Sequence, residues 1–93
     1  MQNYELTEII KIEGGKEIAV CSMEVTVVDD ETDKEYTYYH TSVHPYVNGN
    51  VVYKKLLFIT YCIDKDFMAQ FHNDLIAKIK SGDTSDINGG YAI

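Results

Sequence analysis

Two short turn signals constrain this chain of 93 residues more than any other feature of its sequence. Gly14-Gly15 and Asn48-Gly49 are residue pairs that accept positive φ, as the two-residue turn of a β-hairpin requires. Each pair lies between two runs rich in β-branched and aromatic residues. The runs span residues 4–12 and 17–28 around the first pair, and residues 35–44 and 51–62 around the second. The sequence therefore predicts two antiparallel hairpins.

The first turn predicts a register, because residues that face each other across a hairpin share one side of the sheet. With two glycines at the turn, Ile10 lies opposite Ala19 and Glu8 lies opposite Cys21. This side is apolar apart from its glutamates, so it is predicted to be buried. The other side is predicted to be largely solvated. Its members include Ile9, Ile18, Val20 and Ser22.

The second turn predicts that His40 lies opposite Leu57, and it makes both faces of this hairpin apolar. The same register gives two further pairs, Tyr38 with Ile59 and Tyr36 with Tyr61. Pro45 has no N–H to donate to a neighbouring strand, so the register holds only without a bulge near the turn. A polar, acidic connection over residues 29–34 joins the two hairpins.

One helix follows the strands. Asp64 is the predicted N-cap, Asp66 lies in the first turn where a carboxylate suits the helix dipole, and Gly82 ends the helix. Apolar side chains at three- and four-residue spacing form one stripe. The stripe consists of Phe67, Met68, Phe71, Leu75 and Ile79. His72 lies beside this stripe and is predicted to be a boundary residue.

These elements predict an α+β fold, a four-stranded antiparallel β-meander with one C-terminal α-helix packed on one face. The length suits one small domain, predicted over residues 1–82. The tail over residues 83–93 is either a loose end or a short terminal strand. Cys21 and Cys62 lack CxxC spacing, which favours free, buried thiols.

Charge narrows the classes of partner. Fifteen acidic side chains against eight basic ones give a net charge of -7, which repels phosphate and predicts no direct nucleic-acid binding. A protein partner with a basic surface is the expectation instead. The first residues lack the charged start and apolar run of a secretion signal, and no stretch approaches the roughly 18 apolar residues of a membrane span. We therefore expect a cytoplasmic protein without a membrane partner.

Histidine spacing argues against a metal site. On an extended strand His40 and His44 lie about 13 Å apart, whereas zinc holds its ligand nitrogens at about 2 Å. Ser42, between them, has no nucleophile elbow, oxyanion loop or third orienting group in the sequence. The sequence therefore predicts no catalytic residues, no metal and no cofactor.

Two acidic features have alternative interpretations. Glu8 on an apolar face could act as an acid or a base, or it could lie near the sheet edge and reach water. The carboxylates of residues 29–35 alternate as they do at the start of a calcium loop. However, Lys34 and His40 stand where such a loop needs glycine and glutamate. A solvated connection is the expectation.

The count of layers leaves one face of the sheet uncovered, because a single helix covers one face while the second hairpin is apolar on both. The predicted uncovered face carries Tyr36, Tyr38, His40, Leu57, Ile59 and Tyr61. Tyrosine combines a large rigid ring with a polar tip, which suits a face that is wet when free and buried when bound. The alternative is that the tail or a different strand order buries these rings within the chain.

These observations favour a non-enzymatic protein-binding domain whose uncovered face and acidic loop engage a partner. The loop residues predicted to take part are Asp29, Asp30, Glu31 and Asp33. Such a chain could be a stoichiometric inhibitor of a nucleic-acid-handling enzyme, because carboxylates can occupy a channel meant for phosphates. Phage-encoded inhibitors of host defence, anti-CRISPR proteins among them, share this character by composition alone. The alternative is a homodimeric structural or small-ligand-binding domain in which tyrosine-rich faces meet.

Overall fold

The computed structural model of the protein describes residues 5–87, and it confirms the predicted α+β fold. The strands are β1 (Glu5–Lys11), β2 (Glu17–Val28), β3 (Glu35–Val47), β4 (Asn50–Val51) and β5 (Phe58–Cys62). They form one antiparallel sheet in which β2 lies between β1 and β3, while β4 and β5 both pair with β3. The helix α1 (Lys65–Lys80) packs on one face of this sheet.

The first hairpin is one residue out of the predicted register. Its loop holds three residues, Glu13–Gly15, instead of two. Ile10 therefore lies opposite Ile18, where the prediction placed Ala19. Both glycines of the loop have positive φ, as predicted, so the turn signal was correct and the length of the loop was not.

This slip exchanges the two faces of β2, because side chains alternate along a strand. Ile18 and Val20, predicted on the solvated side, are fully buried in the core. Cys21, predicted on the buried side opposite Glu8, belongs to the other face and is half-buried. Glu8 lies 2.8 Å from the Lys80 Nζ and is partly exposed, so its carboxylate reaches water, which is the second of its two interpretations.

The second turn is confirmed, since Asn48 and Gly49 both have positive φ. The predicted pairing holds beside this turn, where Tyr46 lies opposite Val51, and this ladder of paired residues then breaks. His40 pairs with Tyr61, four residues further along the chain than the predicted Leu57, and Ile59 pairs with Ser42 instead of Tyr38. The predicted pairs of Tyr38 with Ile59 and of Tyr36 with Tyr61 are therefore wrong. Because four is an even number, the side chains of β5 still lie on their predicted face.

Pro45 explains why this ladder breaks. Its carbonyl oxygen accepts from the Val52 N–H over 2.9 Å, but proline has no N–H to return to the neighbouring strand. The chain then turns, and the Lys55 N–H donates to the Val52 carbonyl oxygen over 3.1 Å. Residues 52–57 thus form a loop between β4 and β5, which we call the 52–57 loop.

The core lies between the sheet and α1. Its buried apolar members are Ile10, Ile18, Val20, Val43, Leu57, Leu75, Ile76, Ile79 and Ile87. Burying a side chain of this size stabilises a fold by roughly 1.5–3 kcal/mol. Ile87 belongs to the predicted tail, so the tail supplies part of the core, while residues 88–93 of that prediction lie outside the described residues.

The predicted cap of α1 is confirmed, but its buried stripe differs from the prediction. Asp64 Oδ1 accepts from the Phe67 N–H over 3.0 Å. The stripe is centred on Met68 and His72, and His72 is 3% exposed where a boundary position was predicted. Phe67, predicted in the stripe, is exposed because it lies about 100° around the helix from Met68.

Among the described strands, the hairpin of β2 and β3 extends beyond the others. Among residues 5–87, β1 pairs with β2 only up to Met23, and β5 pairs with β3 only up to Tyr39. Residues 24–28 and 35–38 therefore continue as a two-stranded ribbon that ends in the acidic turn. We call residues 24–38 the arm, and the described part of the molecule is correspondingly long, with extents of 49 × 24 × 24 Å.

Candidate functional site

The sheet face away from α1, which we call the open face, is the main candidate for a functional surface. The buried residues Ile18, Val20 and Val43 face the helix, so their neighbours in sequence point the other way. The open face is formed by Cys21, Met23, Val25, Val27, Tyr36, Tyr38, His40, Ser42, His44, Ile59 and Tyr61. The helix thus covers the face of the sheet that carries mainly aliphatic side chains. On the open face Tyr36 and Tyr61 are exposed, whereas Ser42 and His44 are buried.

The structure places five of the six predicted face residues together on the open face. They are Tyr36, Tyr38, His40, Ile59 and Tyr61. The prediction was wrong for Leu57, which is 8% exposed and belongs to the core. Leu57 lies just before β5, where its N–H donates to the Val43 carbonyl oxygen over 2.8 Å, so it does not follow the alternation of the strand.

Three rings on the open face form a packed cluster. The ring centroid of Tyr61 lies 5.7 Å from that of Tyr38, edge to face, and 6.0 Å from that of His40, nearly parallel to it. Tyr61 is nevertheless 59% exposed, and neighbouring Tyr36 is 51% exposed. The contacts of Tyr61 with Tyr38 and His40 hold the three rings in a defined arrangement.

A groove of about 320 Å³ lies on the same face, beside this cluster. Its lining includes His40, Ile59, Leu56 and Tyr53. The 52–57 loop forms one wall, because the Tyr53 ring packs edge-on against His44 with centroids 5.3 Å apart. The groove therefore exists only because the ladder breaks after Pro45, which sequence periodicity did not predict.

A hydroxyl–imidazole pair borders the groove. Ser42 Oγ lies 2.9 Å from His44 Nε2, and His44 Nδ1 lies 2.9 Å from the Lys55 carbonyl oxygen. A carbonyl oxygen can only accept, so Nδ1 carries the hydrogen and Nε2 accepts from the Ser42 hydroxyl. The sequence showed no third group to orient the histidine, because Lys55 approaches only through the 52–57 loop.

This order of groups is the one found in nucleophilic catalysis, and here it also links two parts of the fold. Acyl transfer also requires N–H donors aimed at a developing oxyanion. Ser42 pairs with Cys21 on one side and with Ile59 on the other, so the backbone around it is engaged in the sheet. The hydrogen bonds of His44 tie the 52–57 loop to β3.

His40 and Cys21 are the other reactive side chains on this face. Burial, followed by the proximity of His44, lowers the pKa of His40, so its imidazole is neutral near pH 7. Its Nδ1 is buried and has no hydrogen-bond partner among residues 5–87. Burial raises the pKa of the Cys21 thiol, which keeps it protonated and poorly nucleophilic. Both cysteines are free, as predicted, but each is only half-buried.

A second polar cluster, absent from the prediction, lies beneath the helix. Ser22 Oγ lies 2.6 Å from both His72 Nδ1 and Thr41 Oγ1, and Thr41 Oγ1 donates to the Met68 sulfur over 2.7 Å. A thioether only accepts, so each hydroxyl must donate towards Met68 and the Nδ1 of His72 must donate to Ser22. The register slip turns Ser22 towards the helix, which is why His72 is a core residue.

The acidic loop forms the end of the arm. The Asp33 N–H donates to the Asp29 carbonyl oxygen over 2.8 Å, and the Glu31 N–H donates to Asp29 Oδ1 over 2.9 Å. Asp30, Glu31 and Asp33 are exposed and Asp29 is half-buried. The arm thus joins the predicted loop residues to Tyr36 and Tyr38 of the open face. Within the part of the chain that the structure describes, no three His, Cys, Asp or Glu side chains are grouped to hold a metal ion.

Comparison with protein-family models, with curated protein sequences and with solved structures found no significant match to this chain. Among residues 5–87, no helix has the length and apolar character needed to cross a bilayer.

Proposed function

We propose that this chain is a non-enzymatic protein-binding domain that engages its partner through the open face. The observation that supports this most is the packed cluster of Tyr38, His40 and Tyr61, whose Tyr61 ring is largely exposed, on a sheet face that lies away from the helix. Aromatic side chains with large exposed rings are enriched at the centres of protein interfaces, where they supply contact area at low entropic cost.

The expected partner carries a basic surface. The net charge of -7 and the exposed carboxylates at the end of the arm would steer such a partner towards the chain. An enzyme that handles nucleic acid has a basic channel of this kind, so stoichiometric inhibition of such an enzyme is the specific form of the proposal. The carboxylates of the arm would then take the place of phosphates.

Small-ligand binding is a second candidate function, and the groove beside the aromatic cluster favours it. Its volume of about 320 Å³ lies at the lower end of the range for ligand sites, and aromatic, aliphatic and imidazole groups line it. A ligand in this groove would contact Tyr53 and Leu56 of the 52–57 loop, whereas a protein partner on the open face would contact Tyr36 and Tyr61.

One pair of variants tests the protein-binding proposal. The partner is captured from an extract of the source cells, identified, purified and titrated against the wild type, Tyr61→Ala and Phe67→Ala. Phe67 is the matched control because it is as exposed as Tyr61, at 61% against 59%, but lies on the helix. We expect Tyr61→Ala to raise Kd about tenfold or more by increasing the off-rate, with little effect of Phe67→Ala.

Equal affinities for the two variants would rule out the open face as the binding surface. The mass of the chain in solution, measured by light scattering, separates this proposal from self-association. A dimer that Ile59→Asp converts to a monomer would show that the open face binds a second copy instead.

A further inference from the structure

Within the described part of the chain, the arm presents a backbone edge that no other strand pairs with. The Asp29 N–H donates to the Lys34 carbonyl oxygen over 2.8 Å, so in this ladder Thr26 and Thr37 form a non-hydrogen-bonded pair. Their hydroxyl oxygens lie 3.1 Å apart, as the close approach of side chains in such a pair allows. The N–H and C=O of Thr37 therefore point away from β2. Among residues 5–87, no strand lies on that side of Thr37, because β5 reaches only to Tyr39.

The two sides of this edge differ in chemistry. Tyr36 and Tyr38 project on the open face, next to the aromatic cluster. Glu35 and Tyr39 project on the helix side. Partial burial and then the charges of nearby carboxylates raise the pKa of the Tyr39 hydroxyl. These carboxylates belong to Glu24, Asp64 and Asp66.

A strand added along this edge would place successive side chains on alternate sides. Its side chains on the open face would meet tyrosine rings, and those on the helix side would meet carboxylates. A second copy of this chain fits poorly, because it would bring Glu35 and Asp64 of one copy near the same carboxylates of the other, in two molecules that each carry a net charge of -7.

We propose that the edge of β3 at residues 35–38 adds a β-strand from the partner protein, and that this strand alternates apolar with Lys or Arg side chains. The inference rests on the proposed function and names the part of the partner that is bound. Main-chain hydrogen bonds to Thr37 would supply affinity, and the aromatic and acidic sides of the edge would supply specificity.

The probe for this proposal is the acetylated and amidated heptapeptide Lys-Val-Lys-Tyr-Lys-Val-Lys. It is titrated into the ¹⁵N-labelled protein while amide shifts and hydrogen exchange are followed by NMR. We expect the Thr37 amide to shift and to become protected from exchange. The same peptide with glutamate in place of lysine should not bind, because it meets carboxylates on the helix side.

Thr37→Pro is the critical variant, since it removes the outward N–H without removing a hydrogen bond to β2, and Thr37→Val is its matched control. We expect the proline variant to weaken peptide binding about five- to tenfold, as for one lost hydrogen bond, and the valine variant to bind normally. If the proline variant does not fold, a heptapeptide with alternate backbone amides N-methylated tests the same bonds against the wild type.

Strand addition is overturned if the peptide leaves the Thr37 amide unshifted, or if neither Thr37→Pro nor N-methylation weakens binding. Shifts confined to the neighbours of Tyr61 would also overturn it while leaving the open face as the binding surface. A dimer of the wild type that Thr37→Pro converts to a monomer would show that a second copy occupies this edge, which would also overturn the basic partner strand.

Discussion

Two serine–histidine pairs lie on opposite faces of the same sheet, and they differ in the acceptor at which their hydrogen-bond series ends. Ser22 and His72, beneath the helix, begin a chain of donors that ends inside the core on the Met68 sulfur. Ser42 and His44, on the open face, end on a backbone carbonyl oxygen of the 52–57 loop. The covered face must satisfy every polar group internally, because a buried group without a partner costs about 1–3 kcal/mol. On the open face Ser42 and His44 are also buried, beneath the 52–57 loop, and their hydrogen bonds hold that loop on β3.

The largest expected difference between the faces is in stability. Ile18→Ala empties part of the core and should lower the free energy of unfolding by about 2–5 kcal/mol. Tyr61→Ala, on the open face, removes a ring that is mostly in water and should cost less than about 1 kcal/mol. Urea unfolding of both variants checks this. A comparable loss for Tyr61→Ala would mean that the open face is buried in the free protein and is not a binding surface.

The side-chain hydroxyls of Ser22 and Ser42 should also differ in how much they contribute to the free energy of unfolding. Ser22→Ala leaves the Nδ1–H of His72 without an acceptor inside the core, which should cost about 1–3 kcal/mol. Ser42→Ala removes the donor to His44 Nε2, but His44 keeps its bond to Lys55 and lines a groove that water can enter, so the loss should be about 0.5–1.5 kcal/mol. Chemical unfolding gives both values. A larger loss for Ser42→Ala than for Ser22→Ala would show that the donor directions derived for the hydrogen bonds from His72 to Met68 are wrong.

The free energy of unfolding should fall in mild acid because His72, in the pair with Ser22 beneath the helix, is buried. Burial lowers the pKa of His72 below its ordinary value of about 6.5, although the nearby Glu8 opposes this. Below pH 6.5 the unfolded chain then binds more protons than the folded one, so the free energy of unfolding decreases as pH falls towards the folded pKa. His72→Gln should flatten this decrease in urea titrations between pH 7 and 5. His40, whose pKa is also lowered, contributes to the decrease in the same direction. If the free energy of unfolding of His72→Gln depends on pH as steeply as that of the wild type, groups other than His72 cause the decrease.

The smallest effect on stability is expected at the end of the arm. Replacement of Asp29, Asp30, Glu31 and Asp33 by Asn or Gln should change the free energy of unfolding by less than about 0.5 kcal/mol, because these carboxylates are largely solvated. The same variant should bind a basic partner with a slower on-rate and a weaker dependence on salt. Stopped-flow association at two salt concentrations measures both. An unaltered on-rate would indicate that the acidity serves solubility alone.

The candidate site was only partly predictable. Alternation along β3 was enough to group Tyr36, Tyr38 and His40, because every second residue of a strand shares a face. The pairing of Ser42 with His44 and the groove were not predictable, since both depend on the loop that follows the break at Pro45. The Ser22 and His72 pair was missed because the predicted register turned Ser22 to the other face.

Sequence alone determined the first three strands, the helix, the positions of both turns and the cap at Asp64, because these depend on local backbone preferences. It did not determine the 52–57 loop, which interrupts a predicted strand. The tertiary structure decided the register of the first hairpin, since glycine permits positive φ in two-residue and three-residue loops alike. Packing selects the longer loop, which places Ile18 and Val20 under the helix. That choice also decides which face stays open, because a one-residue slip reverses every side chain of a strand.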